Sequence, residues 1–269
     1  MSAWHENALR ELSQTTGAVL VSLADVKGSA PRGIGTQMLV TATRQYGTIG
    51  GGALEFGAAA RAREILESGP QHLSETMILG PDLGQCCGGQ VALEYERFTG
   101  SPGAIRERLI ENATPPVPLY LFGAGHVGTA LVRVLTGLPF AISWVDQRPE
   151  SFTQNRRDGV KTLRLAEPVN AIKDAPIDAI FIVLTHDHEL DYQLVRAILR
   201  RGDFTFCGLI GSKTKRARFA HRLKKEDITQ DRLDRLTCPI GMDGIPGKAP
   251  EAIAVSVAAQ LLTLNEFGT

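Results

Sequence analysis

Cys86 and Cys87 stand side by side in the glycine-rich stretch Leu83-Gly84-Gln85-Cys86-Cys87-Gly88-Gly89. Adjacent cysteines resist closing a disulfide with each other, because the small ring drives the intervening peptide out of planar trans geometry. Free thiols are the expectation, suited to soft-ligand or redox chemistry at a turn. The competing reading makes both of them small apolar side chains packed beneath a Gly-Gly hairpin. Two further loops upstream offer anion chemistry. In Val26 to Thr36, Arg32 can grip an oxyanion through its planar fork, and in Gly47 to Glu55 the consecutive N–H groups of Gly50, Gly51 and Gly52 can form an anion nest. A pair of purely structural turns is the alternative.

Downstream, Gly123-Ala124-Gly125-His126-Val127-Gly128 follows one strand pattern and opens a helix, and Asp146 ends the next strand. That is the Rossmann fingerprint in its expected context. Gly123, Gly125 and Gly128 allow a tight turn and close helix packing, backbone N–H groups face a phosphate, and Asp146 would take ribose hydroxyls. His126 at the loop tip either donates to an anion or faces solvent. In Gly208 to Arg216, Ser212 is a natural helix cap, and Lys213, Lys215 and Arg216 cluster at the positive end of that helix, either for an anionic ligand or as a solvated basic face. Thr185-His186-Asp187-His188-Glu189-Leu190-Asp191 ends another strand. Its histidines and carboxylates could hold a metal, but the dinuclear-hydrolase spacing H-x-H-x-D-H fails at Leu190 and Asp191, which leaves a helix-capping turn. Gly241 to Lys248 fails as a P-loop, because Met242 and Ala249 stand where glycine and a magnesium-binding hydroxyl are needed.

The elements that must position these groups fall into two halves. Asn112 to Pro118 holds three prolines and interrupts both helix and sheet patterns, so residues 1–114 and 115–269 are expected as separate domains. In the first, strands are predicted at 18–23, 37–40 and 91–95 and a helix at 53–68, which makes it a smaller α+β domain. In the second, apolar runs at 119–122, 141–145, 177–184 and 204–210 alternate with helices from Val127 and Leu190. A final helix runs from Pro250 to Leu264. This is the α/β pattern of a parallel, Rossmann-like sheet.

Composition narrows the function classes. Lys plus Arg and Asp plus Glu both total 29 in 269 residues, so no global field draws the chain to nucleic acid or an anionic membrane. No apolar run reaches the ~18 residues of a membrane span. Residues 1–7 lack the basic and apolar regions of a secretory signal. Four cysteines without ribbon spacing fit a reducing compartment, and the expected location is cytoplasmic.

Taken in order, Gly28 to Arg32, Gly47 to Glu55, Gln85 to Gly89, Gly123 to Gly128, Thr185 to Asp191, Gly208 to Lys213 and Pro239 to Gly241 resemble the XdhC/CoxI family of xanthine dehydrogenase accessory proteins. The resemblance covers nearly the whole chain and has the same domain order. It implies a non-catalytic chaperone that binds the molybdenum cofactor (molybdopterin) as cargo, shelters it during sulfuration and inserts it into apo xanthine dehydrogenase. Implied partners are that enzyme, a cysteine desulfurase, molybdenum cofactor biosynthesis proteins and a second copy of the chain in a homodimer. Cofactor contacts are then expected from Arg32, Gly50, Gly51 and Gly52, from Cys86 and Cys87, from Gly123, Gly125, His126, Gly128 and Asp146, and from His186, His188, Ser212 and Lys213. Two other classes stay open on the residues alone. One is an NAD(P)-dependent oxidoreductase using Gly123 to Gly128 with Asp146, and the other a metal-dependent hydrolase using His186, His188 and Asp191.

Overall fold

In the first half, strand alternation decides which core each side chain joins. Strand β1 (Gly17–Lys27) sends Val19, Val21 and Leu23 to one side and Ala18 and Leu20 to the other. The computed structural model describes residues 3–12, 15, 17–30, 32–79, 89–99, 103–111, 115–148, 150–152 and 157–264, and the chain divides into compact units on either side of position 115.

The first unit is built on a five-stranded antiparallel sheet of order β3-β2-β1-β5-β4, with β2 at Gln37–Val40, β3 at Gln45–Gly47, β4 at His72–Ile78 and β5 at Gln90–Thr99. Helix α2 (Gly52–Ser68) covers one face with Leu54, Ala58, Ala62 and Ile65, the alanines letting its axis approach the sheet closely. On the other face, α1 (Ala3–Leu12) and α3 (Gly103–Glu111) bring Ala8, Leu12, Ile105 and Leu109 onto Ala18, Leu20 and Leu39.

The second unit is a six-stranded parallel sheet of order β11-β10-β9-β6-β7-β8. Its strands are β6 (Val117–Phe122), β7 (Phe140–Asp146), β8 (Lys161–Arg164), β9 (Ala179–Val183), β10 (Phe204–Leu209) and β11 (Leu236–Thr237). Buried throughout, β9 splits its side chains by period two, with Ile180 and Ile182 facing one core and Phe181 and Val183 the other. Helices α4 (His126–Leu135) and α9 (Pro250–Leu264) cover the first face. Opposite them lie α5 (Asn170–Lys173), α6 (His188–Arg201), α7 (Lys213–Lys224) and α8 (Gln230–Asp234). Strand order reverses between β6 and β9, so the loops after β6, β7, β9 and β10 share the carboxyl edge where ligands of open α/β sheets bind.

The Rossmann-like reading of the second half and the mixed reading of the first agree with this architecture. Three local expectations need correcting. Pro118 lies inside β6, opposite Ala141 of β7: Val117 N bonds toward β7, so the donor Pro118 lacks falls on the opposite side, where β9 joins only from Leu119. Ile177 is excluded from β9: it is exposed, and Asp178 turns with φ 59° before the strand begins. Strand β4 was not predicted, since its alternation of His72, Ser74 and Thr76 with Leu73, Glu75 and Met77 buries only half of each side chain pair at the sheet edge.

Candidate functional site

The β6–α4 turn is held by steric necessity. Gly123 has φ 116°, and a Cβ there would sit 2.4 Å from the Leu184 carbonyl oxygen; one on Gly128 would sit 2.1 Å from the Gly123 carbonyl oxygen. Gly125, by contrast, faces open space, and His126 is exposed. Asp146 follows the expected position but not the expected role. Its Oδ2 accepts from Ala124 N (2.7 Å) and Arg148 Nη2 (2.9 Å), and its Oδ1 accepts from Arg148 N (2.9 Å), Arg148 Nε (3.0 Å) and Ser151 Oγ (2.9 Å). Burial alone would raise this carboxyl, but the hydrogen bonds from Arg148, Ala124 and Ser151 outweigh it and hold the pKa far below the usual carboxylate range. Both oxygens are thus saturated from within the protein. The adjoining space between Gly123, Asp146, Pro168, Thr185 and His186 is about 10 Å³, room for about one water. Asp146 therefore offers a ribose no free acceptor, although a space of about 370 Å³ opens just beyond it, between Gln147, Pro168, Leu190 and Arg196.

One strand further on, the carboxyl edge opens. Asp187 caps α6, accepting from Glu189 N (2.7 Å) and Leu190 N (3.3 Å), bonds that lower its pKa. Ser212 caps α7, accepting from Lys215 N at 3.2 Å, as its place in the sequence predicts. Asp191 is fully buried and accepts from Thr185 N (3.0 Å), Thr185 Oγ1 (2.7 Å) and Lys215 Nζ (2.7 Å). Lys215 reaches it by folding its stem over Gly211, where a Cβ would lie 2.6 Å from the lysine Cδ. The solvated basic face expected of Lys213, Lys215 and Arg216 is therefore only partly present. Lys213 is exposed, Lys215 is largely withdrawn from solvent into an ion pair, and Arg216 Nε points at the Leu236 carbonyl oxygen (3.4 Å). A crevice of about 470 Å³ lies between the two loops, lined by Thr185, His188, Ser212, Thr214, Lys215 and Arg218.

This arrangement does not assemble the metal set considered for His186, His188 and Asp191. Asp191 is turned to Lys215, and among the described residues no group of three or more His, Cys, Asp or Glu side chains could hold a metal ion.

In the first unit, Gly50, Gly51 and Gly52 all have positive φ, and the loop they form closes on an acceptor from the protein itself. Glu55 Oε2 accepts from Ile49 N (3.2 Å), Gly51 N (3.0 Å) and Thr48 Oγ1, while its Oε1 accepts from Gln45 Nε2 (2.9 Å). Arg32 is exposed. Cys86 and Cys87 lie outside the described residues. The free thiol of Cys207 is wholly buried, which pushes its pKa up to about 12 and leaves it unreactive. A groove of about 510 Å³ crosses the sheet face not covered by α2. Strand register sets Gln37, Ser22, Glu94 and Ser74 in one polar row across it.

The structure thus brings His188, Ser212 and Lys215 to one crevice and sets Gly123, Asp146 and His186 around a closed one. Reading the sequence missed Glu55 as the acceptor for the triple-glycine loop, Arg148 and Ser151 as the partners of Asp146, and Arg218. For Glu55 a signal existed, a carboxylate one helical turn after a triple glycine; the others depend on tertiary contact.

Comparison with known proteins places both halves. Residues 119–261 match the description "XdhC Rossmann domain", and residues 12–82 match "XdhC and CoxI family". An uncharacterized protein of Escherichia coli K12, YqeB, is 29% identical over 251 residues, covering 91% of this chain and 43% of that protein. The molybdenum cofactor insertion chaperone PaoD of the same organism is 36% identical over 94 residues, 34% of this chain and 30% of its own length. The chain spans less than half the length of these curated relatives. A crystal structure described as a xanthine dehydrogenase from Bacillus halodurans shares the fold at a TM-score of 0.81 and 21% identity, covering 98% of this chain and 96% of that one.

Proposed function

Because the chain belongs to the XdhC and CoxI family, we propose that it is an accessory protein that carries the molybdenum cofactor and inserts it into apo xanthine dehydrogenase, sheltering it while its terminal sulfur is installed. The observation that carries this reading is the match of the two halves, in order, to the family's two domain descriptions, supported by similarity to a relative named as a molybdenum cofactor insertion chaperone. The geometry is in keeping with a carrier. Its open crevice at the carboxyl edge presents cations and hydroxyls, and its carboxylates are tied up, Asp187 in a helix cap and Asp191 in an ion pair with Lys215. Cys86 and Cys87 are the soft donors in this proposal, with His188, Ser212 and Lys213 of the second unit as contacts for the anionic part of the cargo, and Arg32 as a separate candidate contact in the first unit. A cysteine desulfurase as sulfur source, the cofactor's biosynthesis proteins as donors and a homodimer belong to the same reading.

The oxidoreductase alternative loses ground because Asp146 has no free acceptor for a ribose. The hydrolase alternative loses it because Asp191 is committed to Lys215. The proposal is tested by reconstitution. The chain, isolated anaerobically from a molybdopterin-producing host, should restore turnover to apo xanthine dehydrogenase in proportion to the amount added. No gain over free cofactor, or steady NADH or NADPH turnover by the chain alone, would overturn it.

A further inference from the structure

The β9–β10 crevice holds an unmatched set of donors. Lys215, whose side chain is only 10% exposed, is an ammonium with three N–H groups, and among the described residues it finds two acceptors, Asp191 Oδ2 (2.7 Å) and the Ile210 carbonyl oxygen (3.0 Å). Arg218 stands three residues further along α7, on the same side of the helix, and its guanidinium has no hydrogen-bond or ion-pair partner among the described residues. Every carboxylate near these groups is already answered. Asp191 is neutralised by Lys215, Asp187 is taken by the backbone of α6, and Glu189 is bridged by both terminal nitrogens of Arg222 at 2.6 and 2.9 Å. A largely buried ammonium with a spare donor, an uncompensated guanidinium, the Thr214 hydroxyl and the start of α7 therefore line one 470 Å³ space, whereas the Thr185 hydroxyl is already spent on Asp191 and the Asp187 carbonyl.

We infer that this crevice binds a phosphate monoester, and that the group attached to the phosphate is not adenosine. The first part follows from charge and geometry. A tetrahedral dianion offers acceptors in several directions at once, which a lysine N–H, a forked guanidinium and helix-start N–H groups can meet together. The second part follows from the neighbouring space. Asp146, the group that would hold an adenosine's ribose on the fingerprint side, has both oxygens taken by Ala124, Arg148 and Ser151, and only ~10 Å³ lies between it, Gly123 and His186. This deepens the proposed function and rests on it for the identity of the cargo, since molybdopterin carries its phosphate as a monoester at one end. The phosphate chemistry stands without it.

Binding of inorganic phosphate to the full chain, followed by calorimetry at constant ionic strength, tests the site. Arg218→Ala is expected to weaken phosphate at least tenfold and Arg218→Lys to recover part of the loss, while AMP and NADP+ bind no more tightly than phosphate itself. Arg218 is exposed, so the alanine variant should keep its fold, and its circular dichroism checks that. Three results overturn the inference: no phosphate binding by the wild type at concentrations on the order of 10 mM, equal affinity in Arg218→Ala, or AMP binding tenfold tighter than phosphate. Pterin content of the same preparations separates the two levels. Phosphate binding lost in Arg218→Ala, from a wild-type chain that carries no pterin, supports the crevice and contradicts the cargo.

Discussion

Lys215→Met keeps the aliphatic stem over Gly211 and removes only the ammonium, leaving Asp191 fully buried with two hydrogen bonds from Thr185 and no counter-charge. Removing one partner of a buried ion pair typically destabilises by about 3–5 kcal/mol, because the remaining charge is stranded away from water. Asp191→Asn in the Lys215→Met background replaces that charge by a neutral amide of the same shape, so the double variant should regain most of the loss. The coupling between the two positions should reach about 2 kcal/mol or more. The sequence supplies a clean probe. Its two tryptophans are Trp4 in α1 and Trp144, fully buried in β7, so a Trp4→Phe background reports unfolding of the second unit alone. With urea m-values of about 1–3 kcal/mol/M, Lys215→Met should lower the Trp144 midpoint by roughly 1–5 M. A loss below about 0.5 kcal/mol, or a double variant equal to the sum of the singles, would refute the claim that this pair organises the crevice.

Tyr95 is buried with its hydroxyl unpartnered among the described residues, and burial pushes its pKa up to about 12, so Tyr95→Phe should stabilise the first unit by about 1 kcal/mol in a Trp4-monitored melt. Gly128→Ala would put a methyl 2.1 Å from the Gly123 carbonyl oxygen, where only backbone can give way, and should destabilise the second unit by about 3 kcal/mol or more on the Trp144 signal. Burial lowers the pKa of His5, stacked on Trp4, to about 4. The unfolded chain then takes up a proton near pH 6.5 that the folded one refuses, so the first unit should lose stability as pH falls from about 6.5 to 4. An NMR titration placing His5 near 6.5 would contradict that. Asp146 has the same sign at lower pH: its contribution is complete above the ordinary aspartate value and disappears as pH falls from there towards its depressed folded pKa.

What could be read from the sequence was local. Gly123 and Gly128 announced a turn that only glycine can make, Ser212 announced its helix start, and Pro250 announced the first turn of α9. Asp187 likewise did what a capping turn requires. The parts that stayed hidden depend on groups far apart in the chain. Asp191 and Lys215 are 24 positions apart and meet only because β9 and β10 pair side by side. Asp146 was placed correctly and given the wrong partner, because Arg148 folds back on it with three nitrogens, a choice that no spacing rule encodes. The Gly50 to Gly52 loop was recognised as a donor shape while its acceptor, Glu55, was passed over as an ordinary helix residue. Strand β4 escaped notice because an edge strand buries too little to write a strong pattern.

Whether this chain holds molybdenum cofactor is read from the molybdenum and pterin content of protein isolated anaerobically from a molybdopterin-producing host, with Cys86→Ala, Cys87→Ala and the double variant prepared in parallel. Molybdenum and pterin are expected in equal amounts on the wild-type chain, with a clear loss in the cysteine variants and the fold unchanged, because replacing a small thiol removes little apolar area. A wild-type chain free of both, or cysteine variants that all retain the wild-type amount, would contradict this expectation.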